Sequence, residues 1–326
     1  MHTLKITFCT TIMNRLHHLQ QTLPYNLDYN LDYQNCEFLI LDYNSTDGLE
    51  EWMRENMHHF QGKVKYYKTT EPIHYQRSHS RNMAMKLADG DILCNLDADN
   101  YTGPDFAAYV ASVFEENQHC FLSPAKNSPS DTFGKICFKK DDFLRIRGYD
   151  EVIKTYGFED NDLKSRLEAS GLTEKYYSKP EFLYAITHTM QERIENEQLF
   201  KTIDRVFVEK IDYKNSKLFL LNTNETFDSV HVIDSFFNHE DDVFVKPIPV
   251  LNRYQIIEET MISGKTEQLN LGNASLIEDK DKIISVVYFV SQLKNKLRFL
   301  NNTLGRSGII NPEGFGEGQI HFHLTA

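Results

Sequence analysis

Asp97 and Asp99 stand one residue apart directly after the apolar run Asp91 to Leu96, read DILCNL. A buried strand that ends in an Asp-x-Asp turn can hold two carboxylates over one hard divalent cation, which takes oxygen ligands and keeps positions open for phosphate oxygens. A solvated acidic turn has the same short pattern, so its surroundings decide. A second acidic group, Gly157-Phe158-Glu159-Asp160-Asn161-Asp162, stands where a helical pattern begins. Capping and the helix dipole account for one or two such side chains. A carboxylate kept ionised by helix-start amides can also accept a proton from an attacking hydroxyl. His188 lies in the apolar stretch Ala185-Ile186-Thr187-His188-Thr189. Core packing explains a lone histidine there as readily as ligation does.

The elements that must position these groups follow from hydrophobic periodicity. Short apolar runs alternate with amphipathic stretches through the first half, the pattern of strands and helices around a largely parallel sheet. Strands are predicted from Leu4 to Thr11, Phe38 to Asp42, Val64 to Lys68 (edge-like), Asp91 to Leu96 and Lys135 to Lys139. Helices are predicted over Leu16 to Leu23, Gly48 to His59, His79 to Ala88, Phe106 to Glu116 and Glu159 to Ala169, the last stopped by Gly171. The aspartate pair therefore falls at the carboxyl end of a central strand, where ligands bind in open α/β sheets. From about residue 200 the texture changes. Lys217 to Leu221, Ser229 to Ile233 and Val243 to Val250 read as strands without crossover helices, and Lys282 to Leu300 as a helix. The division expected is a catalytic domain over 1–200 and an accessory region over 201–326, with Gly314 to Gly318 as a mobile loop.

The run from Ser80-Arg81-Asn82 through Ala88-Asp89-Gly90-Asp91 to Asp97-Ala98-Asp99 resembles the long signature of family 2 glycosyltransferases. Thr11-Ile12-Met13-Asn14-Arg15, Leu41-Asp42-Tyr43-Asn44-Ser45-Thr46-Asp47-Gly48 and Arg147-Gly148-Tyr149-Asp150-Glu151 resemble further elements of that family, in the same order, so the resemblance covers residues 4–190. It implies an α/β GT-A fold: a Rossmann-like, mostly parallel central sheet, here with a smaller C-terminal extension. The helix-start acidic group is similar to the Gly-x-Glu-Asp element of inverting transferases such as β4-galactosyltransferases and bacterial chondroitin polymerases. That likeness implies Asp160 as catalytic base and Glu159 as acceptor-binding residue. It also implies His188 as a metal ligand beside Asp97 and Asp99, with Mn2+ or Mg2+ as the cofactor. Thr11, Asn14, Asp42, Tyr43, Asn44, Arg81 and Asp97 are the expected nucleotide-sugar contacts, Arg81 by its planar fork on phosphate.

The implied activity is inverting, metal-dependent transfer of a sugar from a nucleotide diphosphate donor, with UDP expected, to a glycan or glycolipid hydroxyl in bacterial surface glycan synthesis. Two rivals remain. A nucleotidyltransferase shares the sheet and the metal carboxylates, but its glycine-rich loop is missing from Thr10 to Arg15. A nucleotide-sugar-binding scaffold protein without chemistry has no packing reason to keep Asp97, Asp99, Glu159, Asp160 and His188 together.

Composition sets the outer limits. A net charge of -12 argues against a general nucleic-acid partner, which requires clustered positive charge. No apolar run reaches membrane-spanning length, so a cytoplasmic protein is expected, with peripheral membrane association left open. Five dispersed cysteines without a Cys-x-x-Cys pair read as reduced, buried thiols. His17-His18 and His58-His59 are neighbours on helices and make poor joint ligands. His321 and His323 lie on a strand-like run with no nearby third ligand, and Lys246-Pro247-Ile248-Pro249 reads as an edge segment.

Overall fold

The computed structural model describes residues 4–234 and 254–325. By their contacts they form two compact units, one of Met1–Lys154, Glu159–Glu192 and Ser307–Ala326, the other of Thr155–Phe158 and Arg193–Arg306. The unit changes at 192/193, and Ser307–Ala326 belongs with the first unit. The strand expected over Val243 to Val250, with its Lys246–Pro249 segment, lies outside the described residues.

The first unit contains β1 (Ile6–Ile12), α1 (Leu16–Tyr29), β2 (Cys36–Tyr43), α2 (Leu49–Asn56), β3 (Val64–Thr69), α3 (Arg77–Leu87), β4 (Ile92–Asn95) and α4 (Phe106–Glu116). It continues with β5 (Cys120–Pro124), β6 (Cys137–Lys139), α5 (Lys140–Arg145), α6 (Glu159–Ala169) and β7 (Thr173–Tyr177). Beyond these come α7 (Met190–Ile194), α8 (Gln198–Thr202), β8 (Ile203–Lys210), β9 (Asn215–Asn222), β10 (Thr226–Asp234), β11 (Tyr254–Ile256), β12 (Ile262–Lys265), β13 (Ser275–Leu276), α9 (Lys280–Thr303) and β14 (Phe322–Thr325).

Eight strands of the first unit order as β14-β3-β2-β1-β4-β6-β5-β7. β3, β2, β1 and β4 run parallel, and β6 reverses against β4. β3 is not an edge: β14 pairs along it antiparallel, so residues from the far end of the chain satisfy its backbone groups. The period-2 alternation of strand side chains divides the core in two. Phe8, Phe38 and Ile40 face the layer of α1, α2 and α4, while Cys9, Leu39 and Leu41 face α3 and α6 through Met83, Leu163 and Leu167. Both faces of the parallel strands are covered, which is why FLIL reads as an unbroken apolar run.

α1 runs to Tyr29, well past the expected Leu23. Its second half carries Asn26 and, just beyond, Asn30. Both are buried and hydrogen-bonded, continuing at four-residue steps a polar stripe that begins with His18 and Thr22. Thr22 Oγ1 donates to Ala98 O (2.7 Å), Asn26 Nδ2 to Asn100 O (3.0 Å), and Asn26 Oδ1 accepts from Thr102 N (2.7 Å). The stripe thus holds the chain that leaves β4.

The second unit is an antiparallel sheet ordered β11-β10-β9-β8-β13, with β12 on β10. α9 covers one face, placing Val286, Val287, Phe289, Val290 and Leu293 against Val206, Leu218, Leu220, Val230 and Val232. Asp279 caps it by accepting from Lys282 N. Asn295 on α9 donates to the carbonyl of Gly157 at 2.9 Å, which ties the 155–158 turn to this unit.

Candidate active site

Parallel pairing of β4 with β1 ends at Asn95. Asn100 N then donates to Asp97 O at 2.9 Å, closing a tight turn that presents both carboxylates. They have different partners. Asp99 Oδ2 meets His188 Nε2 at 2.7 Å, and Asp99 Oδ1 accepts from Asn100 Nδ2 at 2.9 Å. Asp97 Oδ1 accepts instead from Arg81 Nη2 at 3.1 Å and Asn95 Nδ2 at 3.2 Å.

The 184–188 segment reaches Asp99 by pairing with the chain beyond it. Tyr101 N donates to Tyr184 O at 3.0 Å, Ile186 N to Asp99 O at 2.8 Å, and Asn100 and Ala185 form an antiparallel bridge. Gly103 lies so close that a Cβ there would meet Glu181 O at 2.2 Å. Lys135 pins the arrangement. It is 1% exposed, and its Nζ donates to the carbonyls of Tyr101 and Phe182. Burial pulls its pKa down to about 7. His18 adds a stacked ring 5.5 Å from that of His188. Burial, with His17 beside it, lowers the pKa of His18 to about 4, so this ring is neutral at neutral pH.

α6 delivers the second acidic group to the same place. Arg81, 1% exposed on α3, gives Nη1 to Asp160 Oδ1 at 2.8 Å while Nη2 goes to Asp97; Glu159 Oε1 lies 3.5 Å from Nη1. The Tyr149 ring lies 5.3 Å from the guanidinium carbon. Burial works against the charge of Arg81, but Asp160, Asp97, Tyr149 and Glu159 outweigh it and raise its pKa further. Burial opposes ionisation of Asp97 too, yet Arg81 and Arg77 hold its pKa below the usual carboxylate value. Glu159 goes the other way: burial first, then Asp160, raise its pKa. Gly134 marks the shared space. A Cβ there would meet Asp97 Oδ2 at 3.0 Å and Arg81 Nη2 and Asp160 Oδ2 at 3.2 Å each.

Comparison with known proteins gives two family matches. The model of glycosyl transferase family 2 matches residues 7–152, and that of the N-terminal domain of galactosyltransferase matches residues 117–189. The first span holds β1 to β4, Arg81 and the aspartate pair. The second holds Glu159, Asp160 and His188. Residues 7–152 are thus similar to the family 2 glycosyltransferases. The matched residues include the parallel strands β1 to β4 of a mostly parallel α/β sheet. Among solved structures, residues 1–349 of TarS from S. aureus match at 15% identity with a TM-score of 0.48, covering 56% of this chain and 60% of that one. The mannosyltransferase PcManGT from Pyrobaculum calidifontis, in complex with GDP-Man and Mn2+, matches at 18% identity and 0.49, covering 58% and 59%. The chain thus spans about three fifths of the length of these structures. No curated protein matches it.

The residues expected from the sequence have the following partners. Asp97, Asp99 and His188 do not converge as three ligands, and no group of three His, Cys, Asp or Glu side chains does so among the described residues. Asp99 and His188 supply one hard oxygen and one imidazole, a donor pair that suits Mn2+. Asp97 is engaged by Arg81. Arg81 in turn has Nη2 on Asp97 and Nη1 on Asp160. Asp42 is fully buried, accepting from Tyr66 OH (2.6 Å) and Ser45 N (2.7 Å), and therefore braces the turn after β2. Asn14 Oδ1 accepts from Thr46 N at 2.8 Å and ties that turn to the one after β1. Asn44 Nδ2 donates to Ile73 O at 3.3 Å. Tyr43 is buried with its hydroxyl 2.8 Å from His79 Nδ1. Thr11 Oγ1 lies 2.8 Å from Tyr75 OH at the end of β1.

Tyr75 and Gly134 were not singled out in the sequence, and His18, Lys135 and Tyr149 were read there without a site role. The four-residue polar stripe on α1 is the signal that places His18 on the inner side. Nothing local marks Lys135, whose partners lie 34 and 47 residues away.

Proposed function

We propose that this chain is an inverting, divalent-metal-dependent glycosyltransferase that moves a sugar from a nucleotide diphosphate donor, UDP foremost, to a hydroxyl of a glycan or glycolipid acceptor. The observation that carries this reading is the convergence of Asp160, Asp97 and Arg81 around Gly134, in a chain that is similar to family 2 glycosyltransferases and also pairs Asp99 with His188. Asp99 and His188 would hold Mn2+ or Mg2+, which when bound would supply a Lewis acid for the charge of the departing diphosphate. Asp97 keeps its charge through Arg81 and borders the donor. Asp160 Oδ2 takes the proton of the acceptor hydroxyl as that oxygen attacks the anomeric carbon from the face opposite the nucleotide. One displacement of this kind inverts the configuration. Glu159 orients the acceptor, and Arg81 fixes the spacing of the carboxylates on either side of it.

The test uses the full chain with Mn2+ and a panel of nucleotide sugars. Thermal shift identifies the donor, since a ligand of the folded state raises the melting temperature by mass action. Release of nucleotide diphosphate, dependent on Mn2+, then measures turnover. A donor that binds but is never turned over, with or without acceptors, would reduce the protein to a nucleotide-sugar-binding module.

A further inference from the structure

Four tyrosines gather on the surface of the first unit. The ring of Tyr25 lies 6.1 Å from that of Tyr29 and 6.0 Å from that of Tyr101, and Tyr101 lies 5.4 Å from Tyr184. Tyr25 and Tyr184 stay 56% and 66% exposed. Single exposed aromatics are ordinary, but a contiguous group marks an interaction surface. Each ring offers an apolar face and a hydroxyl, and none of the four hydroxyls is engaged by another described residue.

Position ties this surface to the site already described. Tyr101 and Tyr184 sit on the two paired segments that carry Asp99 and His188, joined by the 3.0 Å bond from Tyr101 N to Tyr184 O. Tyr25 is seven residues along α1 from His18, an axial separation of roughly 10 Å. That is the reach of a disaccharide. We propose that the tyrosines bind pyranose rings of the acceptor glycan behind the sugar that receives the transfer, an inference that rests on the transferase reading above.

The chemistry favours sugar over lipid. A pyranose presents a C–H face that packs on an aromatic ring and hydroxyls that pair with phenols. An anionic membrane surface calls instead for lysine and arginine. Here Asp28 and Glu181 are exposed beside the tyrosines, on a chain of net charge -12.

The experiment compares the wild-type chain, the Tyr25→Ala/Tyr184→Ala double variant, and Tyr213→Ala as a control on an exposed tyrosine of the second unit. Chitohexaose, cellohexaose and maltohexaose are the probes, read by saturation-transfer NMR and calorimetry. Expected is binding of at least one hexasaccharide by wild type and control, weakened tenfold or more in the double variant, whose melting temperature is unchanged. Absence of hexasaccharide binding by wild type, or equal binding by the double variant, overturns the proposal. So does co-sedimentation with phosphatidylcholine/phosphatidylglycerol vesicles that only the double variant loses, which gives the surface to a membrane. Thermal shift by the panel of nucleotide sugars with Mn2+ is measured separately: absence of any shift sinks the transferase reading, while hexasaccharide binding is scored on its own.

Discussion

His188 Nε2 lies 2.7 Å from Asp99 Oδ2 although 89 residues separate them. The contact does not come from β4 and α6 alone. It needs the 184–186 segment paired with residues 99–101, the α1 stripe that holds Ala98 and Asn100, and the ammonium of Lys135 beneath both. Asp97, two residues before Asp99, faces the opposite way electrostatically and belongs to Arg81.

This division separates the two aspartates in a metal-binding experiment. Asp99→Asn and His188→Ala should each abolish measurable Mn2+ binding in the presence of UDP, whereas Asp97→Asn should retain it. His18→Ala removes the ring stacked on His188 and should weaken Mn2+ binding by about 10–100-fold, the usual cost of losing a group that orients a ligand. His18→Phe should keep most of it. Calorimetric titration of Mn2+ decides; equal losses for Asp97→Asn and Asp99→Asn would show that both carboxylates ligate.

Arg81 is almost fully buried between Asp97, Asp160 and Glu159. Arg81→Met fits the volume but leaves carboxylates facing one another without a cation. Removal of one partner from a buried ionic group costs about 3–5 kcal/mol. Urea unfolding should report a loss of that size at neutral pH, with transfer abolished. A loss below about 1 kcal/mol, the range of exposed ion pairs, would mean that water already screens the group.

What the sequence made legible has a physical pattern. β1 to β4 and their helices are written in local periodicity, so FLIL and the Asp-x-Asp at the end of DILCNL fell where expected. Glu159, Asp160 and His188 were singled out because their types and order resemble a known set. The partners of Arg81 and Asp42 were not, because whether a buried polar side chain faces a crevice or braces a turn depends on neighbours from other strands. Tyr66, which occupies Asp42, is 24 residues away and reads as a simple strand aromatic.

Asp160→Asn should keep donor binding and lose transfer by about a hundredfold or more, the typical contribution of a general base. The readout is nucleotide release with acceptor present against donor-induced thermal shift. Retained turnover on the true acceptor would remove Asp160 from the role of base.

Glu159 gives a pH prediction with a definite sign. Burial and Asp160 raise its pKa in the folded state above the ordinary 4.5, so the folded form binds the proton more tightly than the unfolded chain. Stability from this group is complete below the unfolded pKa and is lost as pH rises through the folded one. Glu159→Gln mimics the protonated acid. It should be more stable than wild type at pH 7 and no more stable at pH 4, while transfer falls through loss of the acceptor contact. An identical urea midpoint difference at both pH values would contradict the raised pKa.

Lys135 tests the pin beneath the Asp99–His188 pair. Lys135→Met keeps an unbranched chain one atom shorter and leaves the buried carbonyls of Tyr101 and Phe182 without the lysine donor, a penalty of about 1–3 kcal/mol for each unsatisfied group. The variant also escapes the desolvation that pulls the lysine to about 7, so the net loss at neutral pH is smaller than the sum of the two penalties. Between about 7 and the ordinary 10.5 the unfolded chain holds a proton that the folded one has released, and wild-type stability rises with pH across that window. A neutral amine still has two N–H bonds for two carbonyls, so the pin survives deprotonation. The gap in urea midpoint between wild type and Lys135→Met should therefore widen from pH 7 to pH 10, and Mn2+ binding in the presence of UDP should weaken in the variant. A gap that narrows over that range would mean that the charged form is the one the fold requires.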